Sequence, residues 1–219
     1  MLDKNLLEAI ERIEKARIAT DRHRIVQIVA VSKYSSANEI AELYKCGQRA
    51  FGENKVQDLS KKAESLSDLP LEWHFIGSLQ SNKINALLKL NPYLLQSLHS
   101  LSIAQSLQEK LQKEGRILNA LLQVNSAKEA SKSGFLPEEA LESYIKISET
   151  CPNLKLQGLM SIGAHCDDKK IIQKSFEITQ KLYEKIPQAS ILSMGMSGDF
   201  ELAIKCGSNL VRLGSILFK

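Results

Sequence analysis

The sequence predicts an α/β fold: a single (β/α)8 TIM barrel with an extra helix at its N-terminus. Three observations predict it. Eight short apolar runs suited to strands alternate with amphipathic stretches suited to helices along the 219 residues. Their even spacing favours a closed barrel over a doubly wound open sheet. No Pro/Gly/Ser-rich linker or shift in composition divides the chain, so residues 1–219 are expected to form one unit.

Residues 3–19 carry Leu6, Ile10 and Ile13 four and three apart, which predicts an amphipathic helix with these side chains inward. The run IVQIVAVS (25–32) is apolar on both faces, as a buried parallel strand requires. ANEIAELYKC (37–46) reads as a helix closed by Gly47, RAFGE (49–53) as a strand and NKVQDLSKKAESL (54–66) as a helix. LEWHFIG (71–77) is the third strand. SNKINALLKL (81–90) begins on a serine suited to cap a helix, and YLLQSL (93–98) is the fourth strand. IAQSLQEKLQKE (103–114) aligns Ile103, Leu107 and Leu111 on one helix face, before the fifth strand, RILNALLQVN (116–125). After the loop SAKEASKSGF, Pro137 opens the helix PEEALESYIKIS in the first turn, where its missing N–H has no partner to lose. LKLQGLMSI (154–162) is the sixth strand. The helix DDKKIIQKSFEITQKLYEKI (167–186) is expected to turn Ile171, Ile178, Leu182 and Ile186 inward. ASILSM (189–194), GDFELAIKC closed by Gly207, and NLVRLG (209–214) supply the last strand, helix and strand before SILFK.

Hydrophobic residues make up 43% of the chain and charged residues 25%, ordinary for a globular protein with a core of its own. The net charge of +4 is scattered over short pieces such as RIEKAR and KEK, which look like solvated helix faces, so no nucleic-acid partner is expected. No run has the length and apolarity of a membrane span or a signal peptide, and no membrane partner is expected. Cys46, Cys151, Cys166 and Cys206 lack metal or redox spacing and read as free thiols in a reducing, cytoplasmic compartment. His99 and His165 have no partners at ligand spacing, so no metal is expected, and no Ser-His-Asp or Cys-His arrangement stands out.

In such a barrel, chemistry sits at the C-terminal ends of the strands, and the unusual polar residues of this chain collect there. Lys33 ends the first strand. In an apolar rim its amine would be desolvated and nucleophilic toward aldehydes, which suits a Schiff base; the alternative is a structural pairing with Glu53 at the next strand end. SMGMSG and LGS, after the seventh and eighth strands, offer small residues and backbone N–H groups where barrels hold phosphate, although such residues also simply make turns. A lysine facing a phosphate cradle fits an aldehyde that carries a phosphate, as pyridoxal 5'-phosphate does. Arg212, between Val211 and Leu213, is expected to point into the barrel, either against a pyridine nitrogen, which it would keep unprotonated, or in an ion pair with Asp199 or Glu201. Asn54 either caps the following helix or faces the cofactor, and His74 reads best as a satisfied core histidine.

Taken together, AVSKYSSANEI, FGENKVQDL, WHFIGSLQSNK, LLQVNSAKEASKSGF, LQGLMSIGAH, LSMGMSGDFELAI and GSNLVRLGSILF resemble the pyridoxal-phosphate homeostasis protein family, in order from Lys33 to Phe218. The resemblance implies a fold-type III barrel, similar to the N-terminal domain of alanine racemase, with pyridoxal 5'-phosphate on Lys33. It implies a phosphate held by Ser193, Ser197, Gly214 and Ser215, Arg212 at the pyridine nitrogen, and Asn54 and His74 lining the pocket. Ser78 stands where the family usually has proline, Lys55 where an aromatic residue is usual, Gly198 where an acidic residue or alanine is common, and the final glycine is absent. These departures touch the pocket entrance.

The implied role is to bind pyridoxal phosphate and to buffer it or deliver it to apo-enzymes that depend on it, as a monomer and without turnover. The competing reading is a pyridoxal-phosphate-dependent amino-acid racemase, which needs an acid/base group on each face of the cofactor. Alanine racemases bring the second, a tyrosine, from a further domain that has no counterpart expected here. Tyr34, next to Lys33, is expected to point the other way on the strand. A cofactor-free Schiff-base aldolase is a third reading, though it has no use for Arg212. The loop over residues 126–134 is expected to be a mobile lid or a partner contact.

Overall fold

Each apolar run becomes a strand of one parallel ring. The computed structural model describes residues 1–219. Its strands are β1 (Gln27–Val31), β2 (Ala50–Glu53), β3 (Glu72–Phe75), β4 (Leu94–Leu98), β5 (Leu118–Val124), β6 (Leu154–Ser161), β7 (Ile191–Ser193) and β8 (Leu210–Leu213). They form a closed barrel in chain order. The ring closes where β1 pairs with β8, Gln27 opposite Leu210 through Ala30 opposite Leu213. Helix α1 (Leu2–Ile18) precedes the barrel. Helices α2 (Ala37–Lys45), α3 (Val56–Ser65), α4 (Ile84–Lys89), α5 (Leu101–Glu114), α6 (Pro137–Thr150), α7 (Lys169–Tyr183) and α8 (Phe200–Lys205) connect the strands, and α9 (Ser215–Phe218) ends the chain. No helix is long and apolar enough to cross a membrane.

A parallel strand in a barrel is covered on both faces, and the two faces carry different chemistry. Outward residues such as Phe51, Phe75, Leu95, Ala120, Leu122 and Leu159 join the helices in a core of 45 buried residues. Inward, Leu94, Leu121 and Met160 form a separate small apolar cluster, with Ile162 and Ile191 against it. Side chains alternate along a strand, so the residue two positions on lies on the same face, one step nearer the C-terminal mouth. After Leu94 that residue is Gln96, and after Ile191 it is Ser193, both with no exposed surface. Above Leu94 and Ile191 the barrel interior thus turns polar, with Met160 level with Ser193.

Two helices pack differently from the periodicity. In α1 the buried stripe is Leu6, Ala9, Ile13 and Ala16, and Ile10 lies at its exposed edge, because the small alanines allow α1 to approach α8 and α9 closely. In α7 the buried residues are Ser175, Phe176 and Thr179, while Ile171 is exposed. Phe176, with no exposed surface, occupies the core in its place. The helix over 81–90 starts with a 3-10 turn at Ser81–Lys83, and Ser81 caps nothing.

Candidate functional site

The chain at Lys33 is built by local hydrogen bonds. Strand β1 ends at Val31, and Ser32 to Ser35 form a turn closed by Ser35 N–H donating to the Ser32 carbonyl at 2.8 Å. Beyond it, the Ser36 hydroxyl accepts from Glu39 N–H, and the Glu39 carboxylate accepts from Ser36 N–H at 2.7 Å. This reciprocal cap starts α2 and holds the far end of the turn. On the near side, Ser32 is clamped: its hydroxyl donates to Glu53 Oε1 and its carbonyl accepts from Lys62 Nζ, both at 2.7 Å. Lys62 Nζ also meets Glu53 Oε1 at 2.7 Å, and Glu53 has no exposed surface.

Glu53 therefore pairs with Lys62 on α3 and leaves Lys33 free. Lys33 is exposed at the mouth rather than enclosed in an apolar rim, and its Nζ lies 5.0 Å from the centroid of the Tyr34 ring. Because both residues belong to a turn and not to the strand, Tyr34 does not point away from Lys33 as strand alternation predicts. Tyr34 is 92% exposed.

Arg212 lies in the interior, as its place between Val211 and Leu213 predicts, opposite Val29 of β1. It is 4% exposed, and its anchors are neutral: Nη1 donates to Ser193 Oγ at 2.6 Å and Nη2 to the Ser161 carbonyl at 2.9 Å. It pairs with neither carboxylate expected for it. Glu201 instead binds Arg12 on α1, and the carboxylate of Asp199 accepts from Met196 N–H. Burial lowers the Arg212 pKa to about 10, against the attraction of Asp199. Burial also raises the Asp199 carboxyl, opposed by its bond from Met196 and the charges of Arg212 and Lys132. A guanidinium without an adjacent carboxylate is costly to bury, and such groups collect at functional sites.

From Arg212 a chain of side chains crosses the barrel. Ser193 Oγ meets Gln96 Oε1 at 2.7 Å, and Gln96 Nε2 meets His74 Nδ1 at 2.9 Å. His74 is buried, and burial drives its pKa down to about 4, so the ring is neutral. Its Nε2 has no partner.

The rim after β7 and β8 is stitched separately. Gly195, at φ 93°, carries the chain over α8, where a Cβ would sit 2.7 Å from Ala203 Cβ and 2.8 Å from Phe200 Cα. Beyond it Ser197 Oγ accepts from Gly214 N–H at 3.1 Å. The first-turn N–H groups of Ser215 and Ile216 have no acceptor within α9. Gly214 lies beside Val31, so this rim adjoins the turn that carries Lys33. Asn54 follows β2 at the same mouth. A Cβ on Gly77 would lie 1.9 Å from the Asn54 carbonyl, so the glycine lets the β3 end press against Asn54. Asn54 does not cap α3, whose N-cap position is Lys55.

The fold therefore brings Lys33, Asn54, Ser197, Gly214 and Ser215 to one mouth, with Arg212, Ser193 and His74 one layer deeper. Ser193 differs from the other residues expected at a phosphate, because its hydroxyl is already spent between Arg212 and Gln96. Gln96 and Lys62 are the participants that sequence reasoning missed. The L-x-Q step in LLQSL is a usable signal for Gln96, since it turns a polar side chain to the same face as Leu94. Lys62 lay hidden in a charged helix face. The loop over 126–134 is tied down: Asn125 Nδ2 donates to the carbonyls of Glu129 and Lys132, and Lys132 Nζ donates to the Gly163 carbonyl at 2.6 Å.

A family model for the N-terminal domain of alanine racemase matches residues 7–219. A pyridoxal phosphate homeostasis protein of Helicobacter pylori (strain J99) is 65% identical over 210 residues, covering 96% of this chain and 95% of that protein. The solved structure of PipY from Synechococcus elongatus with pyridoxal phosphate bound superposes with a TM-score of 0.84 at 30% identity, covering 100% of both chains. An alanine racemase from Clostridium difficile shares the barrel fold, with a TM-score of 0.75 at 17% identity over 98% of this chain and 56% of the racemase. The matched family model, and relatives alike over nearly their whole length, place this chain in the alanine racemase N-terminal domain family, among its pyridoxal phosphate homeostasis proteins.

Proposed function

We propose that the chain binds pyridoxal 5'-phosphate and serves its homeostasis, holding the cofactor as a Schiff base on Lys33 and buffering or delivering it without turnover. The observation that carries this reading is the pairing of an unengaged Lys33 amine at the mouth with Arg212, a buried guanidinium on neutral anchors, one layer below. When bound, the cofactor contributes an aldehyde that condenses with an amine with loss of one water.

The residues present fit the group. Lys33 is presented at the mouth on a turn held at both ends, so its reach is limited. Ser197, Gly214 and Ser215 offer a hydroxyl, a glycine backbone and free N–H groups, a surface suited to a phosphate. Arg212 cannot readily give up its proton and would keep a pyridine nitrogen unprotonated, which suits storage better than carbanion chemistry. Ser193 serves Arg212 rather than the phosphate. Asn54 at the mouth and the unpartnered Nε2 of buried His74 are the remaining polar groups near the site. The whole chain, 1–219, acts as one binding unit, a cytoplasmic monomer that hands the cofactor to apo-enzymes.

The test is a visible spectrum of the protein mixed with pyridoxal phosphate beside Lys33→Ala, followed by borohydride reduction and peptide mapping. A band that requires Lys33, with the label on that residue, is expected. No band, or a label spread over surface lysines, overturns the reading.

A further inference from the structure

We propose that Gln96 is a positioning residue of the cofactor site: acting through Ser193 it fixes the direction of Arg212, and it sets His74 with its ring proton on Nε2. The geometry stands by itself, while its consequence for the cofactor rests on the reading above.

The donors and acceptors along the chain fix its direction. A guanidinium has donors only, so between Arg212 Nη1 and Ser193 Oγ the serine oxygen must accept. The Ser193 hydrogen is then directed to the atom 2.7 Å away, Gln96 Oε1. With its oxygen so used, Gln96 turns its NH2 to His74 Nδ1 at 2.9 Å. The histidine nitrogen has to accept, which leaves the ring proton on Nε2. Turning the Gln96 amide over would point its NH2 at Ser193 and leave the serine hydrogen with no acceptor. Every donor therefore runs one way, from Arg212 to His74.

Two things follow. Arg212 is held by an acceptor that is itself oriented by Gln96, so the guanidinium is aimed before any ligand arrives. His74 ends the chain with a buried N–H that has no acceptor in the protein. A buried donor without a partner is destabilising, so the interior is poised to take an acceptor atom there, from water or from a bound ligand.

The test uses histidine-labelled protein and 15N NMR, with His74 assigned among the four histidines by the signal lost in His74→Gln. In the ligand-free wild type, His74 is expected with protonated Nε2 and bare Nδ1. Gln96→Glu keeps the shape but only accepts, so the His74 proton should move to Nδ1 or the ring become doubly protonated. Gln96→Leu removes both bonds, and His74 should lose its single tautomer. Titration with pyridoxal phosphate, followed by the Lys33-dependent band, is expected to give about tenfold weaker binding in Gln96→Leu, the loss of one positioning bond in a buried network. An Nδ1–H tautomer in the wild type overturns the proposal. So does a His74 signal indifferent to both substitutions together with affinity within twofold of wild type. A His74 response as described in a protein that shows no band at all would support the hold of Gln96 on His74 and overturn the cofactor reading instead.

Discussion

Replacing Lys62 by methionine should destabilise the barrel far more than a lysine on a charged helix face suggests. Glu53 has no exposed surface; its Oε1 takes both Lys62 Nζ and Ser32 Oγ at 2.7 Å, and its Oε2 has no partner. The methionine fills the stem's volume but leaves a buried carboxylate without its cation. Removing one partner of a buried pair costs about 3–5 kcal/mol. The Lys62 side chain is 14% exposed, so water reaches the vacated end and the lower limit applies, about 3 kcal/mol. For a chain of this size, that is a fall in Tm of about 6–12 °C. Urea and thermal unfolding followed by circular dichroism at pH 7 measure it. The double variant Glu53→Gln, Lys62→Met removes the charge as well, and should recover about 2 kcal/mol of the loss as the coupling between the two. A single variant within 1 kcal/mol of wild type would refute the reasoning, as would a double variant no better than the single. The same clamp holds the Ser32 carbonyl, so its loss should also loosen the turn that presents Lys33.

Acid should bring out the cost of burying His74. The folded ring stays neutral down to about pH 4, whereas the unfolded ring takes its proton near 6.5. The unfolded state therefore binds more protons in that window; stability is unaffected above pH 6.5 and falls by about 3 kcal/mol as the pH drops to 4. His74→Gln removes this component, so its unfolding free energy should change less between pH 7 and pH 4 than that of wild type by about that amount; an equal change in both proteins would contradict it. Gly195→Ala forces a Cβ into Phe200 and Ala203 at a positive φ. It should cost about 1–3 kcal/mol in urea unfolding and displace the Ser197–Gly214 stitch, weakening retention of pyridoxal phosphate, whereas unchanged stability and retention would show that the loop has room to spare.

Much of the barrel was legible because strand and helix differ in hydrophobic period, and that difference survives in the sequence whatever the neighbours are. All eight strands appear where the apolar runs placed them, and Pro137, Gly47 and Gly207 punctuate helices as local backbone chemistry requires. Which face of a helix is buried was less legible. Ile171 and Ile10 have the spacing of core residues, yet Phe176 and Ala9 occupy the core, since shape complementarity against β6 and α8 decides it.

The candidate site divides in the same way. That Lys33, Arg212 and the small residues after β7 and β8 share a mouth follows from the order of the strands, because a parallel barrel puts every strand's C-terminal end on one side. The sequence by itself thus determined the fold class, the family and the set of residues gathered at the mouth. Only the tertiary structure decided the partners: Glu53 to Lys62 rather than Lys33, Ser193 to Arg212 rather than the rim, and Gln96 between Ser193 and His74. The reason is physical. Periodicity fixes which way a side chain faces, but a hydrogen bond forms only where distances reach about 3 Å, and those distances are set by barrel closure between residues up to 97 positions apart.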